Sequence, residues 1–361
     1  MKKLALATTA LISLGAAATG ARAEPAQLSV SGQISLAYSV VDQDSSAANT
    51  DGTDGAGLAS GNPSTQLIFD WAGVTDGGMT YGARLDYRFQ SDTADEMYIY
   101  LQDSWGRLVF GGDDGVVDDT VPSGEDVMAG DAGYDGDHIA HTAIGNAAIA
   151  PGLANDTDDN MKISYYTPTF SGFTLGASYI PNVNATTDTT GSGVINTQNG
   201  AARGDSPQFE GVIDYAGTFS GVGVAVGLGY ALQEGGDGFE DATGLKAGAT
   251  VSYADFALGV GYADNGDTGC AQGASCDAGG YWNVGLGYTF GPGAVSVGYM
   301  ESESSLDGQK DEAEGLYFDA DYRLADGLQV FGGVKLIEDK DASANIENDS
   351  TQFLMGTRVS F

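Results

Sequence analysis

MTYGARLDYRFQ, residues 79–90, is the stretch whose reading decides the fold. As an extended strand it puts Met79, Tyr81, Leu85, Tyr87 and Phe89 on one face, with Ala83 the small exception, and Arg84, Asp86 and Arg88 on the other. In a soluble sheet the apolar face would meet a core and the ionic face bulk water. Arginine is scarce in this chain, so the question is what the ionic face meets.

The same pattern recurs. Segments of about ten residues, rich in Tyr, Phe and Val and bounded by Gly, Asp or Asn, are read at 28–41, 64–74, 79–90, 96–103, 105–112, 160–168, 173–181 and 208–219. They continue at 221–233, 242–253, 255–264, 281–290, 294–301, 314–324, 328–338 and 350–361, sixteen in all. With 56 glycines the chain is poorly suited to long helices. Short connections at 75–78, 169–172, 291–293 and 325–327 alternate with long acidic ones at 42–63, 113–159, 182–207, 265–280, 302–313 and 339–349. Short turns at one end and long loops at the other predict an all-β, up-and-down antiparallel barrel.

Phase decides what surrounds that barrel. In 28–41 the large set is Leu28, Val30, Ile34, Leu36, Tyr38 and Val40, against Ser29, Ser31, Gln33, Ser35 and Ser39. Small polar residues cannot fill a core, and sixteen strands enclose a space too wide for side chains to fill. The inside must hold water and the apolar outside must meet lipid, where closure leaves no unpaired edge. Tyr38, Trp71, Phe89, Tyr179, Phe219, Tyr230, Tyr253, Tyr288, Phe290 and Phe361 stand near strand ends, as interfacial girdles require.

Arg84, Arg88, Arg107, Lys162, Lys246, Arg323, Lys335 and Arg358 all fall in strands, in the phase opposite the large apolar residues, whereas Arg203, Lys310 and Lys340 fall in loops. A cation on the lipid face near mid-membrane costs about 2–4 kcal/mol, so an inward phase is what a wet lumen allows.

The chain opens with Lys2 and Lys3, an apolar run from Leu4 to Ala18 and a small-x-small Ala21-Arg22-Ala23, the pattern of a cleaved secretory leader over 1–23, leaving 24–361 as a single barrel domain. Its removal leaves eleven basic against fifty acidic residues, a net charge of −39, which excludes a nucleic-acid partner. Cys270 and Cys276, an even and closely spaced pair in an exported chain, are expected to form a local disulfide.

With its leader, its sixteen segments, the long insertion after GRLVFGG (106–112) and the terminal TQFLMGTRVSF (351–361), the chain resembles the trimeric general porins of Gram-negative outer membranes, in particular the acidic alphaproteobacterial type. The resemblance implies a homotrimer in outer-membrane lipid that passes small hydrophilic solutes and ions. It implies recognition of the strand ending in Phe361 by the barrel-assembly machinery. It also implies a third loop folded inward to narrow the pore. On this sequence that loop begins after Gly112 and carries Asp113, Asp114, Asp118, Asp119, Glu125, Asp126 and Asp131, facing a basic wall of Arg84, Arg88 and Arg107. Opposed charges across a narrow gap give a transverse field favouring polar solutes. The other reading of Arg84, Asp86 and Arg88 is a structural ion-pair ladder on one sheet face. Lys162, Lys246, Arg323, Lys335 and Arg358 are the remaining lumen cations, Arg358 nearest the rim.

Other motifs carry less. His138 and His141 lack the glutamate of a zinc-protease motif, and two histidines in one loop do not supply a catalytic triad, so an enzyme is not expected. No cofactor is required; the acid-rich 51–55 and 264–269 could take Ca²⁺, though neither has an EF-hand pattern. A substrate-specific channel would show an aromatic slide along one inner wall, for which Tyr98, Tyr100 and Tyr166 are the candidates.

Overall fold

The computed structural model describes residues 23–44, 55–60, 65–89, 93–130, 153, 157, 159–181, 206–236, 238–306 and 308–361. Residues 1–22 of the expected leader, Asp131, His138, His141, the Arg203 loop and most of 51–55 lie outside the described residues.

The strands are β1 (Glu24–Gln43), β2 (Gly55–Ser60), β3 (Gln66–Val74), β4 (Thr80–Arg88), β5 (Thr93–Asp103), β6 (Gly106–Gly112), β7 (Met161–Tyr166), β8 (Phe173–Ile180) and β9 (Gln208–Phe219). They continue as β10 (Val222–Gln233), β11 (Ala242–Tyr253), β12 (Phe256–Asp264), β13 (Gly280–Phe290), β14 (Gly293–Ser304), β15 (Asp311–Ala325), β16 (Leu328–Asp341) and β17 (Ile346–Ser360). From β3 onward each strand pairs antiparallel with the next, and β17 closes on β1 with Gln33 opposite Ser360 and Gln43 opposite Ser350. β3 pairs with the first half of β1, from Glu24 to Gln33, and β2 with Leu36–Val41 of the same strand. β2 and β3 are thus two pieces of one barrel strand, and the sheet is a closed barrel of sixteen.

β2 is a departure from the sequence reading, which placed 55–60 in a loop. Its sequence, GAGLAS, has almost no alternation to read, and its pairing comes from Leu36–Val41 of β1. β15, β16 and β17 also run further at the long-loop end than expected, to Asp311, Asp341 and Ile346. Lys340 is therefore a strand residue, in the outward phase and paired with Glu347 at 3.4 Å, and not a loop residue.

The outward face is apolar: Leu28, Val30, Ile34, Leu36, Tyr38 and Val40 on β1, and Val226, Leu228, Tyr230 and Leu232 on β10, are all exposed. Between them in sequence, Ser35, Ala37, Val41, Ala231 and Gln233 are buried on the inside. All eight strand cations expected inside occupy the inward phase, including Arg323 opposite Gln329 and Arg358 opposite Ser35 and Gln329, both toward the short-turn end. Rings cluster in two bands. Trp105–Tyr165, Phe173–Tyr215, Tyr215–Phe219 and Phe256–Tyr288 lie near the short turns, and Tyr179–Phe209, Trp282–Tyr299 and Tyr87–Phe89 near the long loops. The short turns are tight because their centres adopt positive φ: Ser171 and Gly172 at +52° and +91°, Ser220 and Gly221 at +51° and +85°. Two successive positive φ values match the right-handed strand twist, and a glycine at the second removes half the steric cost.

Candidate functional site

After β6 the chain does not leave the barrel mouth. Residues 113–130, with α1 (Val116–Thr120) and a 3-10 turn at Glu125–Val127, run along the inner faces of β8 to β15. The apolar residues of DGVVDDTVPSGEDVM explain part of this. Val116, Val117 and Val121 are buried against Val212, Ala231, Ala263 and Tyr281 of the wall. Polar tethers do the rest, since β8, β13, β14 and β15 each supply an acceptor to a backbone N–H of the segment. Val116 N donates to Ser178 Oγ at 3.4 Å, Gly124 N to Asn283 Oδ1 at 2.8 Å, Ala129 N to Ser296 Oγ at 2.8 Å and Gly130 N to Asp321 Oδ2 at 2.9 Å. Backbone donors out of reach of a strand partner must be satisfied in this way.

The wall beneath the segment is paved with inward-phase glycines. A Cβ at Gly248 would overlap the Pro122 carbonyl oxygen, one at Gly285 the Gly124 oxygen and one at Gly287 the Val127 oxygen. At Gly229 it would meet Val117 Cγ1 at 2.5 Å and at Gly259 the Ser123 oxygen at 2.5 Å. Glycine here serves close approach of two backbones. Sequence reading took GVGVAVGLGY only as a strand and missed this; the signal was a pair of inward-phase glycines on each of four successive strands, 227 and 229, 244 and 248, 259 and 261, and 285 and 287.

The loop acids divide their partners. Asp118 pairs with the buried Lys246 of β11 on the same wall as the segment. Asp119 accepts from Tyr166 OH at 2.9 Å, and Asp126 accepts from Ser123 N at 2.6 Å, just ahead of the 3-10 turn. The carbonyl of Asp113 accepts from Lys162 Nζ. Enclosure in the barrel pushes the Asp113 carboxyl up to about 6, and the charge of Asp119 adds to the effect. Enclosure also holds Asp114 well above its usual range, with Asp118 the next cause. Glu125 is half-buried.

Across the lumen, β3 to β6 carry the ionic face from which the sequence reading began. Arg84 Nε lies 2.5 Å from Glu96 Oε2 and its Nη2 3.9 Å from Asp86, while Arg88 pairs with Asp95. Asp86 is 2 % exposed and also accepts from Gln66 Nε2 at 3.0 Å. Arg84 and Arg88 therefore find their nearest carboxylates on their own wall and not on the facing segment. Even so, about a quarter of each arginine side chain stays open, 27 % and 29 %. Arg107 sits lower, its guanidinium carbon 5.0 Å from the Tyr100 ring centre and 5.9 Å from that of Tyr98. Tyr281, Tyr317 and Phe331 also point inward and are buried, and Lys335 Nζ stands 5.9 Å from the Tyr317 ring. Sequence reading named only Tyr98, Tyr100 and Tyr166 as inward rings and missed these three.

Away from both walls, Cys270 and Cys276 are joined in a disulfide within the 265–280 loop. That loop docks on its neighbour through Glu240 N to Cys270 O at 2.9 Å and Gln272 N to Gly238 O at 2.8 Å. The closest grouping of metal-type ligands among the described residues is Asp86, Asp95 and Glu96, already bonded by Arg84 and Arg88.

Known proteins place this architecture. The family model for Gram-negative porins matches residues 7–342. The anion-selective porin from Comamonas acidovorans superposes with a TM-score of 0.66 at 18% identity, covering 93% of this chain and 100% of that one. The outer membrane channel DcaP of Acinetobacter baumannii gives 0.64 at 12% identity, over 93% and 98%. OmpT of Vibrio cholerae, an outer membrane protein, gives 0.60 at 13%, over 95% and 100%. At such identities these structures speak for the fold. No curated protein matches the chain by sequence. The family match over nearly the whole length, on a closed sixteen-strand barrel with an apolar outside, makes this chain a member of the Gram-negative porin family, an outer-membrane channel protein rather than an enzyme.

Proposed function

We propose that the barrel is a water-filled pore for passive diffusion of small hydrophilic solutes and ions, narrowed where the 113–130 segment faces the Arg84, Arg88 and Arg107 wall. One observation carries the reading. The segment is held flat on β8–β15 by tethers and glycines, so it narrows the lumen without plugging it and leaves Asp118 and Asp119 exposed toward the lumen. The protein works as a homotrimer in the outer membrane after removal of residues 1–23, with the strand ending in Phe361 read by the assembly machinery, as in acidic alphaproteobacterial porins. Acid excess in the lumen gives a weak cation preference that the arginines moderate locally. Calcium on the acidic outer loops is compatible with the charge but not needed for conduction. The test is the single-channel conductance of the refolded mature chain in a planar bilayer. Stepwise openings, grouped in threes, support the reading, and a silent but folded barrel overturns it.

A further inference from the structure

Three inward tyrosines and one arginine form a strip whose arrangement the diffusion of small ions does not require. Tyr98 and Tyr100 project from β5, Arg107 from β6 directly opposite Tyr166 of β7. The rings lie against the wall because the neighbouring strands leave room. A Cβ at Gly82 would meet Tyr100 Cε1 at 2.5 Å, and one at Gly176 would meet Tyr166 Cδ1 at 3.3 Å. Glycine opposite an aromatic residue is a known way to seat a ring flat on a sheet. Arg107 is packed among these rings, so its planar guanidinium is oriented before any solute arrives. At the far end of the strip Tyr166 holds Asp119, which is exposed to the lumen, and Arg107 is within electrostatic reach of both Asp113 and Asp119.

We propose that Arg107, Tyr98, Tyr100, Tyr166 and Asp119 form a lumen subsite for aromatic α-amino-acid zwitterions. The solute's ring stacks on the half-buried Tyr100 and Tyr166, with the buried Tyr98 backing Arg107, its carboxylate pairs with Arg107 and its ammonium group faces Asp119. The charge pattern selects this class. A plain aromatic carboxylate would face the field of Asp113 and Asp119 with no cation of its own. A sugar has no charge for Arg107, and an aromatic amine has none for it either. The proposal rests on the channel reading and turns nonspecific diffusion into diffusion with one retarding step.

The test records the dwell time of solute-induced current blocks in planar bilayers for L-phenylalanine, β-cyclohexyl-L-alanine, 3-phenylpropanoate, phenethylamine and maltotriose. Phenylalanine is expected to dwell about fivefold longer than its saturated analogue, the size of a good aromatic contact. It should also outlast the two single-charge probes. Tyr100→Leu should erase the difference between phenylalanine and cyclohexylalanine. Arg107→Gln should bring phenylalanine down to phenethylamine, with Arg107→Lys intermediate. Equal dwell times for phenylalanine and cyclohexylalanine in an open channel, or the longest block from maltotriose, would overturn the subsite. Saturation-transfer NMR on the detergent-folded barrel compares the same probes whether or not it conducts. A silent barrel that still prefers phenylalanine sinks the pore and keeps the subsite, whereas a conducting barrel without preference sinks the subsite alone.

Discussion

On one side of the lumen β10–β13 present Gly229, Gly248, Gly259, Gly285 and Gly287; on the other β4–β6 present Arg84, Asp86, Arg88, Glu96, Tyr98, Tyr100 and Arg107. The first wall has given up side chains at these positions so that a second layer of backbone can lie on it. The second has kept long charged and aromatic side chains that reach into the remaining space. In one barrel, the inward phase thus does two jobs with opposite residue types. What separates them is the segment 113–130: where its backbone lies closest the wall carries glycine, with Lys246 and Asn283 kept as its partners, and where it does not lie the wall itself is the pore lining.

The contrast breaks most sharply at Gly248. Gly248→Val drives a side chain into the Pro122 carbonyl, and overpacking of this kind costs about 1–3 kcal/mol, enough to lift the segment off its track. Single-channel conductance is expected to fall by roughly half as the segment moves toward the pore axis. Gly211→Ala, where a Cβ meets nothing within 4 Å, is the control and should conduct as wild type. If Gly248→Val conducts like the control, the segment is not packed on that wall.

A smaller effect is expected from the tether between segment and wall. Lys246→Met removes the buried partner of Asp118 and leaves the segment held by backbone donors and valines. Current noise in the open state should rise while mean conductance changes by less than about a third, since one broken pair leaves several other contacts in place. Unchanged noise would show that the ion pair adds nothing to the anchoring.

Smaller again is the response to pH. Because the Asp113 carboxyl is pushed up to about 6, its charge is present at pH 7 and largely lost by pH 5, and burial shifts Asp114 in the same direction. Cation preference, read as the reversal potential in a KCl gradient, should therefore weaken as pH falls through this window. A preference flat from pH 7.5 to about 5 would mean that these carboxyls titrate in the ordinary range. Least of all is expected from Cys270→Ser with Cys276→Ser. The pair closes only a six-residue separation in a loop remote from both walls, so conductance should stay at the wild-type value.

How far these walls were legible in the sequence differs for the two. Phase along a strand has a period of two and needs no partner to be read, so the inward setting of Arg84, Arg88, Lys162 and Lys335 was available from MTYGARLDYRFQ and its counterparts. Closure was legible too, from the alternation of short and long connections. The glycine track was not, because a glycine has no side chain to show which face it serves. Its meaning comes from Pro122 or Gly124, more than a hundred residues away in the chain. For the same reason Asp118 could be named as a loop acid but not matched to Lys246. The ion pairs of Arg84 with Glu96 and of Arg88 with Asp95 depend on the β4–β5 register, which is shifted between Leu85 and Tyr87 by an irregularity that strand alternation does not reveal.

The central claim is an aqueous passage lined by the charged wall, and it is tested most directly by the reversal potential of single channels in a salt gradient, wild type against Arg84→Ala with Arg88→Ala. Removing both guanidinium groups leaves Asp86, Asp95 and Glu96 without their cations beside the passage. The account predicts a shift toward cations, with the permeability ratio rising about twofold in dilute salt and the shift shrinking at high ionic strength. A conducting double variant whose selectivity matches wild type at every salt concentration would contradict it, placing the arginines in a ladder that holds the wall together and never meets the ions.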